Sequence, residues 1–192
     1  MIFLFIISLT GGIIFAFTSI IIHPLRNDLS LRTHTISQYV IGKRGWIVTL
    51  GLYAMAVAEI ALSIGIMYIK QTSTSTILLL FAGLGILIAA IFPVDSGDNK
   101  TVAGKLHNFG AIIQFLLFPI AILLVNKNFS SPWFYYCTVL IGITTAILFI
   151  VLAYLFIYER VSGKENPNFG IIEKVDIAFI IAWVIITSKV LL

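Results

Sequence analysis

The stretch "FPVDSGDNKTVAGKLHNFG", residues 92–110, sets Asp95, His107 and Asn108 between two long apolar runs. A carboxylate turned toward an imidazole fixes the ring's tautomer and tunes its affinity for a proton, which is the basis of acid–base catalysis. Ser37, in "TISQYVIGKRGW", supplies a hydroxyl able to position a water or a carbonyl group. Asp95, His107 and Ser37 are therefore the candidate catalytic residues. A plainer account covers much of the stretch. Pro93 stops one helix, Asp95 to Asn99 are turn formers, and Thr101 caps the next helix. His107 and Asn108 escape that account, because they fall inside the following helix, where a histidine facing lipid would be costly.

On a helix His107 shares a face with Gly110, Ala111 and Gln114, so small and polar residues together mark an inward face for a neighbouring helix, a ligand or water. Pro119, further along, is expected to kink this helix. Glu59, 13 residues after Trp46 and 11 before Lys70, lies near the middle of another apolar run. A charged acid there costs on the order of 2.5–3.5 kcal/mol, so Glu59 is either functional or a neutral, hydrogen-bonded structural acid. Glu159 and Arg160 close the fifth run, while Glu173 and Asp176 open the sixth and read as interfacial ion pairs. Asn108, Gln114, Glu59, Glu159 and Arg160 make up the candidate ligand-binding set.

The elements that must position these residues follow from composition. Of 192 residues, 60% are hydrophobic and 10% charged, with a mean hydropathy of +1.10, against about 25% charged in soluble domains. The apolar residues form six blocks, at 2–22, 46–69, 76–93, 105–125, 133–158 and 171–192. Each is close to the roughly 20 residues that cross a hydrocarbon core. Continuous apolar runs without period-2 alternation exclude a barrel. The expected fold is all-α, an integral membrane bundle of six transmembrane helices in one domain over residues 1–192. The first block lacks a basic flank and a small-residue cleavage site, so it reads as a retained helix.

Connections after the first, third and fifth blocks carry nine Lys and Arg residues (Arg26, Arg32, Lys43, Arg44, Lys100, Lys105, Arg160, Lys164, Lys174), against three (Lys70, Lys127, Lys189) on the other side. This asymmetry places the long connections in the cytoplasm and both termini outside, in the inner (plasma) membrane. Anionic lipid headgroups account for the net charge of +4 without nucleic acid. The outer loops at 70–76 and 126–132 read as plain hairpins, with Pro132 in a first helical turn. The segment "TISQYVIGKRGW" reads as an amphipathic stretch along the membrane surface or folded over the bundle mouth. Cys137 stands alone, which excludes an intramolecular disulfide.

Ser37 before Gly42 and Trp46, "FPVD" at 92–95, "LHN" at 106–108 and Glu159-Arg160 together resemble the polytopic membrane family called domain of unknown function nine-nine-eight. The resemblance covers almost the whole chain. It implies a six- or seven-helix prokaryotic membrane protein with serine, aspartate and histidine at one face, here Ser37, Asp95 and His107. That trio is also similar to the superfamily of alkaline ceramidases and adiponectin-type receptors, in which such residues surround zinc. The HxxxH pair of that superfamily is missing here, and His23 and His34 fall in a loop, so no metal is assigned. Haem would need histidines on facing helices, and only His107 lies firmly within one. No cofactor is assigned.

Three functions stay open: a hydrolase acting on a lipid-like or small-molecule ligand in a cytoplasm-facing polar pocket; a small transporter or proton-coupled carrier using Glu59; and a non-catalytic lipid-binding or assembly subunit. Membrane lipids are the expected partners in each.

Overall fold

The computed structural model describes residues 1–70, 73–96, 100–125, 131–164 and 166–192, with the side chain of Lys70 excepted. Parts of the turn expected at 95–99 and of both outer loops, Lys127 included, lie outside the described residues. Among the described residues, six α-helices account for the six apolar blocks: α1 (Ile2–Leu25), α2 (Gly45–Lys70), α3 (Thr74–Ile91), α4 (Val102–Val125), α5 (Pro132–Ser162) and α6 (Phe169–Leu191). No strand occurs among the described residues.

Helix ends fall where local chemistry puts them. α3 stops two residues before Pro93, because the residue ahead of a proline is driven to extended backbone, as Phe92 is at φ −100° and ψ 120°. α1 instead runs through Pro24 to Leu25, since a proline in the last turn costs little more than one hydrogen bond. Pro132 occupies the first turn of α5, and that helix ends at Gly163 in the left-handed region (φ 67°). α4 continues through Pro119 to Val125.

Helices adjacent in sequence are adjacent in space, and α6 returns to α1, so the six form a closed ring. Phe5, Phe15, Met55, Phe118 and Trp183 fill its interior, while Phe3, Phe17, Ile20 and Ile150 are among the large apolar residues left on the outside. α3 and α4 touch most intimately at Gly85 and Gly110. A Cβ on Gly110 would stand 2.5 Å from the Gly85 carbonyl oxygen, so only glycine allows this crossing. Among the described residues, five helices, α1 to α5, are long and apolar enough to cross a membrane. α6 differs because Glu173, Lys174, Asp176 and Lys189 interrupt it.

One end of the ring is closed by the α1–α2 connection. A 3₁₀ turn, Ile36–Val40, begins in a capping box: Thr35 accepts from the Gln38 N–H, and the Gln38 side chain accepts from the Thr35 N–H. Ile36 and Tyr39 are buried by this turn, so the amphipathic stretch folds over the bundle mouth. Arg26 ties the connection together, donating to the carbonyls of Ile41 (2.6 Å) and Lys43 (3.2 Å) and to both oxygens of Asp28. That pairing holds the Asp28 carboxyl below its ordinary range, while burial pushes the Tyr39 hydroxyl up.

Candidate functional site

His107 sits in the second turn of α4 and is 4% exposed. Its Nδ1 lies 2.9 Å from the Ala89 carbonyl oxygen and 3.0 Å from that of Phe92. Those carbonyls end α3 and have no N–H of their own helix ahead of them. Carbonyl oxygens only accept, so Nδ1 carries the proton, and in the neutral ring Nε2 keeps a lone pair. Nε2 has no hydrogen-bond partner among the described residues. The face expected from the sequence is present: His107, Gly110 and Gln114 are all buried together.

The closing connection brings further groups to the same place. The Ile36 N–H donates to Glu173 Oε2 at 2.7 Å, anchoring the 3₁₀ turn to α6. Lys174 Nζ donates to the carbonyls of Leu31, His34 and Gly170, and the Ile171 N–H donates to the Arg32 carbonyl. Arg32 donates to the Asn168 side chain at 2.8 Å. Ser37 is thereby held over the bundle, its hydroxyl 3.1 Å from that of Thr35.

Between this connection and helices α4, α5 and α6 lies a cavity of about 530 Å³. Its polar end is lined by Ser37, Gln38, His107, Asn108, Glu159 and Glu173. Its other end is apolar, with Ile112, Phe115, Phe149, Leu152, Phe156 and Ile157. Ile112 and Ile157, from α4 and α5, are 51% and 60% exposed, so the apolar lining is not sealed at these two residues. A smaller void of about 50 Å³ shares Ser37, His107, Ala111, Phe115 and Glu173 with the first and reaches Gln114.

The expected site residues divide between several places. Ser37, His107, Asn108 and Glu159 meet at the large cavity. Asp95 does not pair with His107. Its carboxylate accepts from the Thr101 N–H (3.2 Å) and hydroxyl (2.6 Å), and Thr101 in turn accepts from the Gly104 N–H, so Asp95 secures the start of α4. The reason is local, because Thr101 is already at hand where the chain turns and the bare Gly104 leaves room for the carboxylate, which a Cβ there would meet at 2.1 Å. Gln114 and Glu59 find each other at depth: Gln114 Nε2 donates to Glu59 Oε1 at 2.7 Å across α4 and α2. Glu59 Oε2 and Gln114 Oε1 are both buried without a partner among the described residues. Arg160 lies outside the cavity, exposed, with its guanidinium 5.9 Å from the centre of the Phe156 ring.

Glu173 is the residue the sequence misplaces. Read as half of an interfacial ion pair, it is instead 7% exposed and a wall of both voids, and Asp176 is 1% exposed with both oxygens unpartnered among the described residues. The signal available was their three-residue spacing inside an otherwise apolar helix, which marks an inward stripe as readily as a surface one. Among the described residues, no three or more His, Cys, Asp or Glu side chains converge as a metal-ligand group.

A ring of apolar helices around an amphipathic cavity defines a multi-pass membrane protein. The chain belongs to the family described as protein of unknown function (DUF998), whose profile matches residues 9–189. No curated protein and no solved structure matches it.

Proposed function

We propose that this protein is a lipid-active hydrolase of the inner membrane, and that the α4–α5–α6 cavity receives its substrate. The observation that carries this reading is the polarity gradient of the cavity. An amphiphile sliding in between α4 and α5 would leave its chain on Ile112, Phe149 and Ile157 and bring its polar end to His107 and Ser37. His107 then acts as general base. Nε2 takes a proton from water, the hydroxide attacks the substrate carbonyl carbon, and the imidazolium returns the proton to the departing alcohol or amine. The bonds from Nδ1 to Ala89 and Phe92 fix the tautomer and orientation of the ring, and Ser37 holds the attacking water or the carbonyl.

The orientation follows from charge. All six helices span the membrane, the cavity faces the cytoplasm and both termini lie outside, with nine basic residues on the inner connections against three outside. Purified protein in vesicles, supplied with long-chain esters and amides, should release the free acid. His107→Ala should lower that rate about 100-fold or more, well beyond the loss of stability of about 1–3 kcal/mol expected from freeing the Ala89 and Phe92 carbonyls, which thermal unfolding reads separately. Absence of turnover on both substrate types overturns the reading, and saturable lipid binding without turnover points to a non-catalytic lipid-binding or assembly subunit.

A second reading has its own support. The Glu59–Gln114 pair, with one unpartnered oxygen on each side chain, lies where a proton-coupled carrier needs a titratable group. Proteoliposome flux that depends on a proton gradient and disappears in Glu59→Gln would favour transport.

A further inference from the structure

The polar end of the α4–α5–α6 cavity is acidic and lacks a cation. Glu159 and Glu173 line it, and no Lys or Arg does among the described residues. Each carboxylate already holds one backbone donor: Asn166 N–H to Glu159 Oε1 at 2.6 Å, and Ile36 N–H to Glu173 Oε2 at 2.7 Å. The second oxygen of each has no hydrogen-bond partner among the described residues. His107, 96% buried by its 4% exposure, adds an unpartnered Nε2 lone pair on the same wall.

The nearby cations make their hydrogen bonds elsewhere, although Lys174 also interacts electrostatically with its neighbour Glu173. Lys174 is turned to the carbonyls of Leu31, His34 and Gly170, Arg32 to Asn168, and Arg160 stands over Phe156 at the surface. Four phenylalanines, Phe115, Phe149, Phe156 and Phe169, also line the cavity, as does His34. Carboxylates and aromatic faces in a poorly solvated space attract a cation and repel an anion. A phosphate head would need the arginine or lysine that is missing.

We propose that the amphiphile accepted by this cavity carries a primary ammonium head. Its N–H groups are accepted by the free oxygens of Glu159 and Glu173, which leaves the Nε2 of His107 available for water, and its chain lies along Ile112, Phe149 and Leu152 toward the bilayer. The volume, about 530 Å³, is within the roughly 300–1,000 Å³ of small-molecule sites. This assignment rests on the reading that the cavity holds a lipid-like molecule.

The test is native mass spectrometry of the whole protein released from a neutral sugar detergent, titrated with decylamine or with decyl phosphate. One decylammonium should bind per chain, with decyl phosphate at least about tenfold weaker. The double variant Glu159→Gln, Glu173→Gln should lose about tenfold in decylamine affinity, and Ala153→Trp should block the chain of either ligand. If the double variant does not fold, Glu159→Gln alone, at a half-buried position, carries the same expectation. Decyl phosphate binding as tightly as decylamine, or decylamine binding unchanged in the glutamine variants, overturns the proposal. Ester hydrolysis with no ammonium binding would remove this assignment and leave the hydrolase standing; ammonium binding with no turnover would do the reverse.

Discussion

Where α3 crosses α4, Gly85 and Gly110 bring two backbones together, whereas α5 leaves a cavity of about 530 Å³ against α4 and α6. The same contrast runs through the helices as wholes. In the most apolar windows of α2 and α3, 56% and 50% of residues are buried within the protein, against 22% for α5. In lipid, apolar surface gains little by leaving the bilayer for a neighbouring helix, so close packing depends on small residues that let backbones approach. α3 has Gly83 against α2, and Gly85 and Ala89 against Gly110 of α4; the stretch of α5 facing the cavity has Phe149, Leu152 and Phe156, with Ala153 its one small residue there. The difference separates a closely packed wall, which holds His107 by two backbone carbonyls, from a loosely packed wall that leaves the cavity beside it.

Substitutions should break this contrast unequally. Gly110→Leu, on the closely packed wall, should cost about 3 kcal/mol or more and abolish folded protein in size-exclusion chromatography, because the new side chain meets the α3 backbone. Glu59→Leu should destabilise by about 1–3 kcal/mol in thermal unfolding, since it strands the Gln114 amide, while Glu59→Gln retains a hydrogen bond and most of the stability. Arg26→Ala, which frees the Ile41 and Lys43 carbonyls and Asp28, should cost about 1–2 kcal/mol. Its clearer mark should be faster proteolysis within the α1–α2 connection. Ala153→Leu, in the loosely packed wall, should shift unfolding by less than about 1 kcal/mol while narrowing the cavity for any bound amphiphile. Equal damage from Gly110→Leu and Ala153→Leu would erase the distinction between the walls.

The smallest expected effect is one of pH. Arg26 holds the Asp28 carboxyl below its ordinary 3.8. The folded pKa is depressed, so the contribution of this pair is present above about 3.8 and is lost as the pH falls through the lower folded value. Proteolysis of the α1–α2 connection by an acid-active protease should therefore stay flat down to that range and rise beneath it, and Asp28→Asn should remove the rise.

Much of the architecture was legible because the bilayer makes it so. Helices are the structures that satisfy backbone polar groups within one apolar segment, and runs of about 20 residues declare them. The face of His107, Gly110 and Gln114 was legible for a similar reason, since helical geometry decides which positions align. Asp95 was not, because an aspartate ahead of a helix serves equally as a cap or as a partner for histidine, and the choice depends on whether Thr101 or His107 is nearer. Glu173 was not, because burial depends on the α1–α2 connection folding back to give it the Ile36 N–H.

The amino-acid sequence by itself determined the helices, their apolar surfaces, the concentration of basic residues on one set of connections and the alignment of polar side chains along α4. Those properties come from neighbours in the chain and from the solvent around them. Only the tertiary structure decided that Asp95 caps α4 while Ser37, His107, Glu159 and Glu173 share a cavity. Those groups come from four separate segments, and their meeting depends on which helices pack tightly and which leave space.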